Sequence, residues 1–409
     1  MKFRTLLFGS ALAASLAAAG SAGAADPIKI GLLEDISGDL AVYGLPKLHG
    51  SNLAVEEINA AGGVLGRKIE LMHLDPQGDN ARYQEFARRL LQRDKVDLLI
   101  GGITSASREA LRPIVNRADA LYFYTNQYEG GVCDANMISV GAVPEQQFST
   151  LIPWMVEKYG KRNYVIAADY NFGQISAEWN RVLMKQLGGE VIGEEFIPLG
   201  VSQFAQTIQN IQRANPDWLM TLVVGAAQDS YFEQASAAKL NIPMGSSVKI
   251  MLGFEHKRFA PPALNNMHAT ANWFEEIDTP AANDFKKRWR AKYPDETYIN
   301  DMGYNAYVAL YMYKMLAERA GSLKKDDIRK VIAQGDACID APEGKICIDP
   351  KSQHTSHHMR LISVDEKHNV TVDKDFGVIQ PYWLGEIGCD LTKSDPNEQY
   401  TPTNLPKKQ

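Results

Sequence analysis

The segment Val96-Asp97-Leu98-Leu99-Ile100-Gly101-Gly102-Ile103-Thr104-Ser105-Ala106-Ser107-Arg108-Glu109 decides how this sequence folds. An apolar run, two glycines and then small hydroxyl residues predict a strand, a tight turn and the start of a helix. A helix start carries unpaired N–H groups and a partial positive charge, so Ser105 and Ser107 are expected either to cap the helix or to bind a ligand oxygen. In an open α/β sheet, ligands bind at this position, beyond the carboxyl end of a strand.

Strand and helix patterns alternate on both sides of this turn. Strands are predicted at residues 28–33, 68–75 and 120–124, and a second series at 164–168, 191–196, 218–224 and 249–252, with helices between them. This alternation predicts an α/β fold with doubly wound parallel sheets. Helices are also predicted over about 281–292 and 302–319. Short strands follow Cys338, and we expect the polar tail after Leu391 to be poorly ordered.

The first 24 residues have the features of a secretory signal peptide. A basic start is followed by a short apolar stretch and an Ala22-Gly23-Ala24 end, which predicts cleavage after Ala24 and export. Removing Lys2 and Arg4 leaves 41 basic and 49 acidic residues, a net charge of −8. A mildly acidic chain without charge blocks argues against nucleic acid and anionic membranes as partners. About 385 residues remain, which favours two domains.

Four cysteines in an exported chain suggest disulfides. Cys338 and Cys347 flank a turn signal between two short strands, so they are expected to face each other across a hairpin. A Cys133–Cys389 disulfide then follows only by elimination. The alternative, a metal or redox site, lacks any C-x-x-C spacing. No metal or cofactor is predicted.

Several motifs, in this order along the chain, resemble those of type I periplasmic binding proteins, the solute receptors of ABC importers in the branched-chain amino acid class. The set is most similar to the urea and short-chain amide subgroup. The matching segments lie at residues 54–67, 101–108, 127–130, 141–147, 169–170, 197–199 and 340–344.

This resemblance implies two α/β lobes joined by a three-strand hinge, with a small polar solute (an amide, urea or an amino-acid-like compound) held between them. The first lobe would contain residues 27–143 and 274–338. The second would contain 144–273 and 339–390, followed by the tail at 391–409. Closure of the lobes would bury the solute and present it to an inner-membrane ABC permease. No direct membrane insertion of this chain is implied.

The resemblance also assigns residues to the cleft, with ordinary packing as the alternative for the aromatic ones. Hydroxyl and backbone N–H groups of the clamp would hold a carboxylate or amide oxygen, and the following loop and the second lobe would supply the walls. The assigned residues are Tyr43, Ser105, Ala106, Ser107, Tyr124, Thr125, Asn126, Gln127, Tyr170, Phe172, Gly225, Ala226 and Glu255.

Two of these residues depart from the subgroup's pattern. Glu255 stands where small hydroxyl residues are expected. It would either pair with a ligand ammonium, or point to solvent or bond His256 or Arg258. Asn126 stands where an apolar residue or proline is expected. Both departures argue against urea itself as the solute.

Two other functions compete with a transport receptor. One is a ligand sensor that regulates a protein partner, which the leader peptide argues against. The other is a secreted hydrolase, but the sequence contains neither a G-x-S-x-G nor an H-E-x-x-H motif. His354, His357 and His358 are expected to be solvated rather than to bind a metal, because the surrounding residues favour a strand or loop.

Overall fold

The computed structural model describes residues 26–248, 255–393 and 395–405, with the side chain of Glu255 left out. The predicted leader and the predicted strand at 249–252 lie outside the described residues. Within the described part of the chain, no helix combines the length and apolar character needed to cross a membrane.

Most strands lie where the apolar runs predict them, but β5, β9 and β10 were not predicted. In chain order they are β1 Ile28–Leu33, β2 Ile69–Leu74, β3 Leu98–Gly101, β4 Tyr122–Tyr124, β5 Met137–Ser139, β6 Arg162–Ala168, β7 Glu190–Ile197, β8 Trp218–Leu222, β9 Met244–Gly245, β10 Met267–Ala271, β11 Cys338–Ala341, β12 Gly344–Cys347, β13 His357–Val364 and β14 Val370–Ile379.

The helices lie between these strands. They are α1 Ala41–Ala60, α2 Asn80–Arg88, α3 Ser105–Arg117, α4 Pro144–Tyr159, α5 Asn171–Gln186, α6 Ala205–Ala214, α7 Gly225–Ala237, α8 Glu255–Arg258, α9 Pro280–Lys292, α10 Asp301–Ala320, α11 Lys325–Ile332 and α12 Trp383–Ile387. A π-helical segment, Arg89–Asp94, continues α2, and a 3-10 turn, Leu391–Lys393, follows α12.

The strands form two main sheets, one in each lobe. The first is all parallel, in the order β2-β1-β3-β4-β5. Its strands β1, β3, β4 and β5 are almost entirely buried, as expected for a sheet covered on both faces, whereas the edge strand β2 is only partly buried. The second has the order β14-β13-β10-β9-β8-β6-β7. Its β6 to β10 pairings are parallel, whereas β13 and β14 pair antiparallel at one edge. These two strands are longer than the short strands expected after Cys338.

The chain crosses between the two sheets three times, after β5, after β10 and before β13. A buried network joins these crossovers: the His357 ring lies 2.9 Å from the Val140 carbonyl oxygen and 2.8 Å from Glu343 Oε1. Asn272 Nδ2 donates to the other Glu343 oxygen at 2.7 Å. The prediction that the histidines are solvated is therefore wrong for His357, and also for His354, which is buried against Tyr128 and the Ser352 carbonyl.

The first crossover leads into α4, where Glu145 is buried. Its Oε1 accepts from the Trp383 backbone N–H at 3.3 Å, and its Oε2 has no hydrogen-bond partner among the described residues. Burial raises the pKa of the Glu145 carboxyl to about 7. The charged form of this side chain is therefore unfavourable in the folded protein.

The described part of the carboxyl-terminal segment, residues 389–393 and 395–405, packs against the rest of the protein, contrary to the expected poor order. Arg112 Nη2 donates to two backbone carbonyls of this segment, at Asp395 and Glu398. The Tyr400 N–H donates to Gly131 O at 2.8 Å, and the Thr401 hydroxyl to Glu178 of α5 at 2.9 Å. The segment therefore contacts both lobes, and polar composition alone gave no indication of these partners.

All four cysteines are paired. Cys338 and Cys347 lie opposite each other in the β11–β12 hairpin, with a Cα–Cα distance of 4.0 Å. Cys133 pairs with Cys389, 256 residues away, at a Cα–Cα distance of 5.7 Å. The second disulfide fixes the carboxyl-terminal segment to the loop that follows β4.

Candidate functional site

A cavity lies between the two lobes, at the carboxyl ends of β3, β4, β6 and β8. It measures about 400 Å³, including the space at its mouth. Aromatic, aliphatic and a few polar side chains line it: Leu40, Tyr43, Ile103, Thr104, Ser105, Tyr124, Asn126, Gln127, Tyr170, Phe172, Val224, Val248 and Met302. Small-molecule sites have this composition, apolar walls with a few placed polar groups.

Glycine geometry builds the turn before α3. Gly101 has a φ of +135°, and a Cβ there would lie 2.2 Å from the Leu33 carbonyl oxygen, so only glycine fits. Thr104 caps the helix, because its side chain accepts from the Ser107 N–H at 3.0 Å. The Ser107 hydroxyl in turn donates to the Thr104 carbonyl at 2.8 Å. Ser107 therefore belongs to the cap and does not line the cavity, whereas Thr104 does.

The first turn of α3 presents free donors to the cavity. The backbone N–H groups of Ser105 and Ala106 make no hydrogen bond within residues 26–248, 255–393 and 395–405. Ser105 lines the cavity, and Ala106 is the next residue along the turn. Helix N-termini with such unpaired N–H groups bind anions.

A buried ion pair is hydrogen-bonded to the backbone of this turn. Lys47 Nζ lies 2.8 Å from Glu34 Oε2 and donates to the Gly102 carbonyl at 3.0 Å, and both side chains are inaccessible to solvent. Burial raises the pKa of Glu34 to about 8 and lowers that of Lys47. No motif in the sequence indicated this pair, because Glu34 follows β1 whereas Lys47 lies in α1.

The end of β4 and the loop that follows it bring three of their four predicted residues to the cavity. Tyr124, Asn126 and Gln127 line it, but Thr125 is buried outside it. The Tyr124 hydroxyl donates to the Ile103 carbonyl at 3.2 Å, and Asn126 Nδ2 donates to the same oxygen. Burial raises the pKa of Tyr124, so this phenol stays protonated at physiological pH.

Tyr43 of the first lobe contacts the second lobe across the cavity. Its hydroxyl accepts from the Gly225 N–H at 3.0 Å and lies 3.2 Å from Gln228 Oε1. Gly225 therefore interacts with the site through its backbone, although neither it nor the exposed Ala226 lines the cavity. The neighbouring Val224 lines it.

The second lobe closes the cavity with two rings and leaves one prediction untested. Tyr170 and Phe172 line it, with ring centroids 5.9 Å apart. Burial raises the pKa of Tyr170 well above its usual value. The side chain of Glu255 lies outside the described residues, so its predicted contact with the solute stays a prediction.

A charged network that was not predicted from the sequence lies behind the cavity wall. Arg108 is inaccessible to solvent and donates to Glu129 Oε1 at 2.7 Å. Its guanidinium carbon lies 4.4 Å from the ring centroid of Tyr128 and 5.2 Å from the ring centroid of Tyr124. Burial opposes the charge of Arg108, but Glu129 and Glu109 raise its pKa well above the usual value. The Gln127-Tyr128-Glu129-Gly130 motif was the available clue, yet it indicated only a resemblance.

The described side chains that line the cavity carry no charge. Among the described residues, no group of three or more His, Cys, Asp or Glu side chains is arranged to hold a metal ion. The arrangement offers anion-binding N–H groups at one end, amide and hydroxyl oxygens beside them, and apolar walls.

Comparison with known proteins identifies relatives by sequence. Over 238 residues the chain is 28% identical to Leu/Ile/Val-binding protein homolog 7 of Brucella suis, an alignment that spans 55% of this chain and 59% of that protein. Over 356 residues it is 22% identical to Leu/Ile/Val-binding protein homolog 6 of Brucella abortus, spanning 85% of this chain and 90% of that protein.

Solved structures share the fold. A solute binding protein of an ABC transporter from Rhodopseudomonas palustris, in complex with 3,4-dihydroxy benzoic acid, aligns with a TM-score of 0.76 at 17% identity, covering 87% of this chain and 97% of that one. The branched-chain amino acid transporter substrate binding protein LivJ from Streptococcus pneumoniae, in complex with isoleucine, aligns with a TM-score of 0.74 at 20% identity, covering 87% and 100%.

These four proteins are named as binding proteins, and none is named as an enzyme. A family model described as periplasmic binding protein matches residues 27–369, which is most of the chain. The two lobes, the interlobe cavity and this match together establish that the chain belongs to the periplasmic binding protein family.

Proposed function

We propose that this chain is the periplasmic solute-binding protein of an ABC importer. It captures a small solute that combines a carboxylate with an aliphatic or aromatic body, and delivers it to an inner-membrane permease. The names of the relatives and structural neighbours support the transport role, and the leader-like first 24 residues support export. No catalysis is part of this proposal.

The free N–H groups of Ser105 and Ala106 carry the proposal for a carboxylate. They lie at the positive end of α3, where a carboxylate would gain two hydrogen bonds and a favourable dipole interaction. The rings of Tyr43, Tyr124 and Phe172 then offer apolar surface to the rest of the solute. Bare urea would leave much of that surface without a partner.

A neutral amide or urea is the second candidate. The sequence motifs are most similar to the urea and short-chain amide subgroup, and one feature of the site favours an amide –NH₂. Asn126 Oδ1 and Gln127 Oε1 are buried acceptors without partners among the described residues. The proteins named above provide no support for this subgroup.

A thermal-shift screen of the chain from residue 25 tests the proposal. The probes are leucine, isoleucine, benzoate, 4-hydroxybenzoate, acetamide and urea. A probe present at a hundred times its Kd stabilises the folded state by about 2.7 kcal/mol and raises Tm by several degrees. We expect this shift for carboxylate-bearing probes, and a shift for acetamide or urea alone would contradict the carboxylate assignment.

A pair of matched variants connects any binding to the cavity. Phe172→Ala removes a ring from the cavity wall, whereas Phe196→Ala removes one from the solvent-exposed side of β7. We expect the first to weaken binding of the best probe at least tenfold and the second to leave it unchanged. Equal effects would place the binding site elsewhere.

A further inference from the structure

Glu129 lies directly behind the cavity wall and is almost inaccessible to solvent. Three groups donate to its carboxylate: Arg108 Nη2 at 2.7 Å, Gln399 Nε2 at 2.6 Å and the Ser105 hydroxyl at 2.5 Å. Glu129 does not line the cavity, but Ser105 does. Any influence of Glu129 on a solute therefore passes through Ser105.

The bond from Ser105 to Glu129 determines what the serine offers to a solute. A carboxylate has only acceptor oxygens, so the hydrogen in this bond comes from the Ser105 hydroxyl. A hydroxyl has one hydrogen, and this one is already engaged. Ser105 Oγ is left with lone pairs, so it can accept a hydrogen bond from a solute but cannot donate one.

A second acceptor lines the same cavity. Asn126 Nδ2 donates to the Ile103 carbonyl, which fixes the orientation of the amide. Its Oδ1 is buried and has no hydrogen-bond partner among the described residues. Two acceptors, Ser105 Oγ and Asn126 Oδ1, therefore accompany the free N–H groups at the start of α3.

We infer that Glu129 makes the Ser105 hydroxyl a hydrogen-bond acceptor toward the solute. The site thereby selects solutes with an N–H donor beside their carboxylate, such as α-amino acids. This inference rests on the proposed function and defines its solute class further. Glu129 is a positioning residue, and Ser105 is the group that contacts the solute. A solute without a donor would bury both acceptors unpaired, which is unfavourable.

Matched probe pairs test this selection. Leucine and 4-methylpentanoate differ only by the α-amino group, as do phenylalanine and 3-phenylpropanoate, and all four keep the carboxylate. Calorimetry gives the Kd of each probe, and the Kd ratio within a pair measures the donor preference. We expect the wild-type chain to bind the donor-bearing member at least tenfold more tightly.

Variants then connect the preference to Glu129 acting through Ser105. In Glu129→Gln, the new amide can donate to Ser105 and release its hydroxyl hydrogen, so the ratio falls about tenfold. Ser105→Ala alone also lowers the ratio, and adding Glu129→Gln to it changes nothing more, because the two residues act through one bond. Circular dichroism checks that each variant is folded, and if Glu129→Gln does not fold, Ser105→Ala alone decides.

Glu145→Gln is the control, because it also neutralises a buried carboxylate but lies outside the cavity lining. It is expected to leave the ratio unchanged. A wild-type ratio near one, or a ratio that persists in Glu129→Gln or Ser105→Ala, overturns the inference. If none of the four probes binds, the proposed solute class is wrong and the inference falls with it, whereas if one pair binds, the Kd ratio within that pair decides the inference about Glu129.

Discussion

The buried carboxyl of Glu145 makes the stability of this protein depend on pH in a direction that can be calculated. Its pKa is raised from 4.5 to about 7 in the folded state, because burial disfavours the charged form. A raised folded-state pKa gives a stabilisation that is fully present below the unfolded-state pKa and is lost as the pH rises through the folded-state pKa.

The size of the effect follows from the shift. Each pKa unit corresponds to about 1.4 kcal/mol, so the full effect is about 3 kcal/mol, of which about 2.5 kcal/mol is lost between pH 5 and pH 8. Glu145→Gln keeps the shape and an acceptor for the Trp383 N–H but removes the ionisation. Between pH 5 and pH 8, we therefore expect the free energy of unfolding to fall by about 2.5 kcal/mol less in the variant than in the wild type.

Urea denaturation at pH 5 and pH 8, followed by circular dichroism, measures this difference as the free energy of unfolding. The control is Glu157→Gln, which changes an exposed glutamate on the same helix. If the wild type and Glu145→Gln lose the same stability between the two pH values, the argument from burial is wrong.

Two further predictions concern the covalent links and the interlobe contact. Replacing Cys133 and Cys389 by serine is expected to lower the free energy of unfolding by about 5 kcal/mol, and replacing Cys338 and Cys347 is expected to lower it by about 3 kcal/mol. The first effect is larger because the first pair closes a much longer loop. Urea denaturation measures both values, and a larger loss for the second pair would contradict this prediction. Tyr43→Phe removes a hydroxyl that is hydrogen-bonded to the second lobe, and we expect it to weaken binding of the best probe about fivefold, as measured by calorimetry. Unchanged affinity would show that this contact is not needed for closure of the lobes.

Local patterns in the sequence were sufficient to predict the fold class and most of the parallel strands. Apolar runs and glycine turns predicted the parallel sheets, since strand and helix periodicity depend on near neighbours. The antiparallel β13 and β14 are the exception. Only short strands were predicted after Cys338, whereas β13 is a mostly buried strand of eight residues. The charged residues of β14 fall in its middle, and this strand is largely exposed at the edge of its sheet, so its pattern was that of a loop.

The candidate site was predictable where it follows from one turn, but not where distant residues meet. Ser105, Tyr124 and Tyr170 line the cavity because each lies at or shortly after the carboxyl end of a strand. The partners of Glu129 could not be found in this way, because one of them, Gln399, lies 270 residues away in the chain. Such pairings depend on how the lobes and the carboxyl-terminal segment pack together.

The indole of Trp179 gives this protein a built-in optical reporter. Trp179 belongs to α5 of the second lobe, and its Nε1 donates to the backbone oxygen of Glu129 in the first lobe at 3.1 Å. Its ring also stands edge-on to that of Trp383, with centroids 4.8 Å apart. Separation of the lobes would break the hydrogen bond and expose a buried indole to water. Intrinsic fluorescence should therefore follow opening and closing in real time, without any attached dye.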